Sequence, residues 1–252
     1  MRVVVLGSGT STGVPVVTCD CEVCRSDDPR DRRLRPSILM EWSGVSILVD
    51  TSTDLRRQAL DHRIARIDAV LYTHHHADHV LGLDELRLYN WRQRGAVPAY
   101  GSAPTLAALR KTFWYVFDAE ESASTRPAID TRIVEGPFDL HGETVVPVPL
   151  IHGKLEILGY RVGRFAYLTD VSAIPEPSYG LLEDLDVLMI SALRQRPHPT
   201  HLSLEQAIAE ARRIGARRTL LTHMSHEMPH RRISATLPGA IELAHDGLTF
   251  EV

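Results

Sequence analysis

A mixed α/β sandwich is the architecture this sequence predicts, on three observations. Short β-branched runs alternate with amphipathic stretches along the chain. A capped helical pattern over residues 204–214 is followed at once by a strand over 219–222. Several strands end directly in histidine or aspartate, and in layered folds ligands gather where strands end and loops begin. The 252 residues, 44% hydrophobic and 24% charged, have ordinary globular composition. They provide ample chain for one core, so a single domain over residues 1–252 is expected.

The elements follow in order. Residues 3–6 (Val-Val-Val-Leu) read as a strand entering the glycine-rich loop 7–13. Residues 37–41 and 45–49 flank Ser43-Gly44 and read as a hairpin. Residues 56–63 read as a helix, and 69–72 as a buried strand running straight into a histidine cluster. Apolar residues at 80, 83, 86 and 88 predict a helix over 80–92, and 105–113 predicts another. Strands are expected over 144–151, 160–162, 164–168 and 187–190. Over 204–214, Leu204, Ala207, Ile208, Ala211 and Ile214 form one apolar stripe; Ser203 and Gln206 make a capping box, and Gly215 is a stop. The aromatic run 113–117 reads as core or as a contact with a second copy, and no internal repeat is visible.

Charge and context exclude several classes. Lys and Arg total 28 against 32 Asp and Glu, a net charge of −4, and only Lys111 and Lys154 are lysine. That balance gives no support to a polyanion-binding surface, so nucleic acid is not an expected partner. The N-terminal apolar run is too short for a signal-peptide core, and no stretch approaches the roughly 20 apolar residues of a membrane span. Three closely spaced cysteines cannot pair completely within one chain. A soluble protein in a reducing, cytoplasmic setting without a membrane partner is therefore expected. The glycine loop lacks a complete dinucleotide fingerprint, because Gly13 falls one place late.

Histidine is abundant, at 13 residues. Thr73-His74-His75-His76-Ala77-Asp78-His79 places four histidines and an aspartate within six positions after a buried strand. Imidazole and carboxylate suit zinc, iron or manganese. In extended geometry His74 and His76 share one side, and a turn at Asp78-His79 can present a second pair to a neighbouring ion. His152, Asp170 and His223 each follow a predicted strand and are candidates for the remaining ligands. Asp50, ending another strand, is placed to orient a metal-bound histidine. Separately, Cys19, Cys21 and Cys24 offer three corners of a tetrahedral zinc site, with His226 or His230 as fourth ligand.

The motif His74-x-His76-x-Asp78-His79, followed by Gly82 and by those later positions in order, resembles the metallo-β-lactamase-fold hydrolases, an αββα sandwich, over essentially the whole chain. The Cys-x-Cys-x-x-Cys loop with Thr222-His223-Met224-Ser225-His226 is similar to the PhnP branch of that fold. Its namesake hydrolyses 5-phosphoribosyl 1,2-cyclic phosphate. The resemblance implies one metal on His74, His76 and His152, a second on Asp78, His79 and His223, and Asp170 bridging them. Zinc and manganese both suit this set. It implies a structural zinc on Cys19, Cys21, Cys24 and His226, catalytic roles for Asp78 and His201, and a homodimer; His75 matches no ligand position. His201 is the implied general acid, with His198 its nearest rival.

The activity implied is hydrolysis of a small cyclic phosphodiester by a hydroxide generated between two metals about 3.5–4 Å apart. An alkoxide leaving group needs a proton, which a thiolate does not, and His201 is placed to provide it. The alternatives are a tRNA 3′-processing-like ribonuclease, which would need a basic arm the chain lacks; a thioester hydrolase or sulfur dioxygenase, which gives no reason for the cysteine loop; and a metal-binding carrier, which a vacant ligand position would favour.

Overall fold

The computed structural model describes residues 1–117 and 125–252. Its first half runs β1 (Arg2–Gly7), β2 (Ser37–Trp42), β3 (Val45–Val49), α1 (Leu55–Asp61), β4 (Ala69–Leu71), α2 (Ala77–Val80), α3 (Leu86–Gln93), β5 (Val97–Gly101), α4 (Ala103–Thr112), α5 (Trp114–Phe117) and β6 (Ile129–Ile133). The second half runs β7 (Phe138–Leu140), β8 (Glu143–His152), β9 (Leu155–Val162), β10 (Phe165–Leu168), α6 (Glu176–Tyr179), β11 (Val187–Ser191), α7 (Leu204–Ile214), β12 (Arg218–Thr222), α8 (His230–Ser234), β13 (Ile241–Leu243) and β14 (Thr249–Glu251).

Two seven-stranded sheets form, in the orders β14-β1-β2-β3-β4-β5-β6 and β13-β12-β11-β10-β9-β8-β7. Both have the same internal plan. From β14 to β3 and from β7 to β10 neighbours are antiparallel; from β3 to β6 and from β10 to β13 they are parallel. The parallel strands need crossovers, and helices supply them on the outer faces. Alternation along β1 shows the layering. Val3 and Val5 enter the core between the sheets with Met40, Tyr160, Met189 and Leu220. Val4 and Leu6 face α1 and α3 alongside Leu55, Leu83 and Leu86. On the other outer face Leu188 and Ile190 meet Ala207 and Ala211 of α7. The expected αββα sandwich is present.

Local sequence accounts for most elements. Ser43 and Gly44 both take positive φ, 48° and 79°, as a tight hairpin turn requires. Ser203 and Gln206 make the reciprocal capping bonds of α7, and Gly215 ends it at φ 73°. The helix expected over 80–92 is instead broken into α2, a 3₁₀ segment Leu81–Glu85, and α3. Gly82 is the reason. Its N–H donates to Thr51 O at 3.0 Å rather than up a helix, and a Cβ there would stand 2.1 Å from Ser52 O. The aromatic run divides, with Phe113 and Val116 buried while Trp114 is 64% and Tyr115 38% exposed. Among the described residues no helix is long and apolar enough to cross a membrane.

Candidate metal centres

Most of the histidines and aspartates arrive from the C-terminal ends of strands in both sheets, and Asp78 and His79 from α2. His74 lies just past β4, His152 ends β8, Asp170 lies just past β10, and His223 follows β12 directly. Three strand-end residues take left-handed backbone: Asp50 at φ 62°, Asp170 at 55° and His223 at 57°. Such conformations cost non-glycine residues roughly 1–3 kcal/mol each and persist where surrounding contacts hold them.

The side chains converge in two groups whose donor atoms all lie within 4.8 Å of one another, His74 with His76 and His152, and Asp78 with His79, Asp170 and His223. In the first, His74 Nε2 is 3.0 Å from His76 Nδ1. In the second, His79 Nε2 lies 3.0 Å from Asp170 Oδ2 and 3.3 Å from Asp78 Oδ2. His223 Nε2 lies 3.1 Å from Asp170 Oδ1 and 3.6 Å from Asp78 Oδ2. Both Nε2 atoms are buried, and among the described residues neither has a hydrogen-bond partner. Orphaned imidazole nitrogens turned toward buried carboxylates are what a divalent cation would satisfy, so the donor set fits two such ions. His152 and Asp170 also group with His201, so Asp170 reaches toward both clusters. His75 joins no cluster among the described residues.

A buried network aims most of these rings. Asp50 accepts from Thr73 N–H at 2.8 Å, Thr73 Oγ1–H at 2.8 Å and His79 Nδ1–H at 2.7 Å. Thr73 Oγ1, having donated to Asp50, accepts from His74 Nδ1–H at 3.0 Å. One carboxylate therefore orients a histidine in each cluster, leaving both Nε2 atoms free for metal. His152 Nδ1–H donates to Thr200 O at 2.7 Å with the same consequence. The histidine-orienting role expected of Asp50 is thus wider than the sequence suggested. Thr73 and the Thr200 carbonyl escaped sequence reasoning, although a hydroxyl beside the first histidine of a metal motif is a usable signal.

Electrostatics follow the packing. Burial, then the charge of His79, holds His74 well below the ordinary histidine range, keeping its lone pair available. Burial would also lower His79, but Asp170, Asp78 and Asp50 outweigh it and hold that ring well above 6.5. Burial opposes ionisation of Asp170, yet His223 and His79 keep it well below the usual carboxylate range; His79 and His223 do the same for Asp78. His201 stacks on His223 with ring centroids 5.0 Å apart and places Nδ1 3.6 Å from Asp170 Oδ1. Burial, then His223, holds it down to about 3. His198 lies farther out, bonded to Thr200 and 5.2 Å from the His201 ring.

A separate cluster gathers Cys19, Cys21, Cys24 and His226. His226 Nδ1 is 3.2, 3.4 and 3.6 Å from the three Sγ atoms in that order. Burial raises Cys24 to about 11, while hydrogen bonds, first from the Cys24 N–H, outweigh burial at Cys21 and hold it down to about 6. Among the described residues His230 is not part of this group: its backbone N–H donates to Asp31 Oδ1 and its ring faces His245.

Residues 46–224 match the family model described as the beta-lactamase superfamily domain. The chain belongs to the metallo-β-lactamase superfamily. Within it, the crystal structure of a diphosphatase from the PhnP family is 45% identical, covers 100% of this chain and 97% of its own, and superposes with a TM-score of 0.93. This superfamily member is accordingly of the PhnP branch, a family of metal-dependent hydrolases. An octanoyltransferase of Porphyromonas gingivalis is 43% identical over 253 residues, 98% of this chain but 51% of that protein. The chain spans about half the length of that relative. Zinc-bound PqqB from Methylobacterium extorquens shares the fold at 22% identity and TM-score 0.81, with complete coverage of both chains.

Proposed function

We propose that this protein hydrolyses a small cyclic phosphodiester with two divalent metals, zinc or manganese, with 5-phosphoribosyl 1,2-cyclic phosphate the best single candidate, and that His201 protonates the leaving oxygen. The observation that carries the reading is the position of His201. Its imidazole, whose buried Nδ1 has no hydrogen-bond partner among the described residues, stacks on His223 and borders Asp170 at the junction of the two clusters.

The ligand assignment follows the clusters: His74, His76 and His152 for one ion, Asp78, His79 and His223 for the other, Asp170 between them, and structural zinc on Cys19, Cys21, Cys24 and His226. Bound there, two such ions would neutralise phosphoryl oxygens and lower the pKa of a bound water. The chain's residues do the rest. Asp78 and Asp170, held ionised, are the acceptors available for the proton that the attacking water gives up. As the bond from phosphorus to the leaving oxygen breaks, His201 donates its proton to that oxygen. A phosphodiester anion beside His201 favours the charged form of the ring, opposing the burial that holds it low in the free site.

His201→Ala should slow hydrolysis of an alkyl-leaving cyclic diester by about 10²–10⁴-fold. Bis(p-nitrophenyl) phosphate, whose leaving group needs no proton, should lose far less, and metal content should stay unchanged. Equal losses on both substrates, or loss of a metal, would remove His201 from the acid role. The PhnP-family diphosphatase favours a second reading, cleavage of a diphosphate diester. Its phosphate leaving group needs little acid, so His201→Ala would then spare the physiological reaction as well.

A further inference from the structure

His223 differs from its neighbours in how it is held. His79, His74 and His152 each have Nδ1 fixed by Asp50, Thr73 or the Thr200 carbonyl. The His223 ring is buried, and among the described residues its Nδ1 has no hydrogen-bond partner. No hydrogen bond at Nδ1 aims it among the described residues, so beyond its stacking on His201 its direction is set by its own backbone, which sits in the left-handed region at φ 57°. That backbone is clamped from the C-terminal side. Met224 N–H donates to Ser8 O at 2.9 Å and Met224 O accepts from Thr10 N–H at 3.1 Å. The fully buried Arg33 guanidinium donates to Ser225 O at 2.9 Å and Met228 O at 2.5 Å, and pairs with Asp31 at 3.1 Å. His226, three residues beyond His223, completes the cysteine cluster.

We propose that the cysteine cluster and Arg33 are positioning devices for His223: zinc on the three thiolates and His226, together with the Arg33 fork, pins residues 224–228 and thereby sets the affinity of the cluster of Asp78, His79, Asp170 and His223 for its ion. The proposal rests on reading both clusters as metal centres. It goes beyond that reading by making the affinity of one depend on the occupancy of the other. The cluster of His74, His76 and His152, in which Thr73 and the Thr200 carbonyl fix two of the three rings, should be nearly indifferent. The thiolate site thus serves the active site through four residues of chain, rather than only cross-linking a loop.

The test compares full-length wild type, Cys21→Ser and Arg33→Lys, each shown to be folded by circular dichroism, with wild-type protein stripped of thiolate-bound zinc by an organomercurial as a mutation-free arm. Manganese binding is followed by calorimetric titration and by electron paramagnetic resonance, which distinguishes a spin-coupled pair from an isolated ion. The proposal expects one manganese to bind as in wild type and the other at least tenfold more weakly, with the coupled-pair spectrum giving way to that of an isolated ion. Arg33→Lys keeps the charge but loses the fork, and should give a milder form of the same one-site loss. Unchanged binding of both ions in the Cys21→Ser and stripped proteins, or equal weakening of both, would overturn it. Failure of the broader reading looks different: wild type would then hold no thiolate-bound zinc or bind no manganese pair at all.

Discussion

Asp50 bears on both histidine clusters at once, directly through His79 and through the Thr73 hydroxyl to His74. An asparagine there cannot accept all three of its hydrogen bonds. Either its amide N–H₂ faces the Thr73 N–H, or it forces His79 into the tautomer that protonates Nε2. Asp50→Asn should therefore weaken metal binding about 10–100-fold, measured by competition with a chromogenic chelator, and should affect both ions. Loss confined to one ion would show that the Thr73 relay is inactive. At this scale the sequence was legible where chemistry is carried by residue type. Histidines and aspartates at strand ends, and three cysteines in six positions, announce metal whatever the fold. The choice between His226 and His230 was not legible, because it depends on Asp31 holding the His230 backbone and on the turn Arg33 clamps. Arg33 gave no sign of being buried.

Gly82 shows how an element can be misread while its residues are read correctly. The apolar spacing at 80, 83, 86 and 88 is helical, yet the segment is broken because Gly82 packs against the Ser52 carbonyl. That contact seats α2, the single turn carrying Asp78 and His79, against the loop after β3. Gly82→Ala would put its Cβ 2.1 Å from Ser52 O and 2.8 Å from Leu55 Cβ. The variant should lose about 2–3 kcal/mol in chemical denaturation, in the range of overpacked cores, and bind its metals more weakly. A loss under 0.5 kcal/mol would mean that the loop yields freely. Capping made α7 legible to the residue, whereas β5 carries Pro98 and Gly101, and β6, β13 and β14 are three to five residues long and interleave charge. Their strand character comes from their partners in the sheets.

The whole molecule repeats one plan in two sheets, with no repeat visible in the sequence. Asp50 after β3 and Asp170 after β10 occupy equivalent places and share left-handed backbone. One has become the orienter of histidines and the other the carboxylate between the clusters. Pairing β14 with β1 brings the chain ends together, with the Met1 ammonium donating to Val252 O at 2.7 Å. Asp246, just before β14, ties this closure by accepting from Ser8 N–H and Oγ–H and from Leu34 N–H at 2.7–2.8 Å. Burial outweighs these bonds and raises it to about 6. A carboxyl raised in the folded state stabilises most when protonated, and that contribution is lost as pH rises through 6. The stability of wild type relative to Asp246→Asn should thus fall between about pH 4 and 6.5, by up to roughly 3 kcal/mol over the full titration. Urea unfolding of both proteins would show a flat difference if Asp246 does not titrate there. The central claim, that two metals and His201 make this chain a phosphodiesterase, is tested most directly by titrating manganese into protein whose active site has been stripped but whose thiolate zinc is retained, and following hydrolysis of 5-phosphoribosyl 1,2-cyclic phosphate. Turnover should rise to a plateau at two equivalents of manganese; absence of turnover at every loading, with a thioester cleaved instead, would rule out the phosphodiesterase reading.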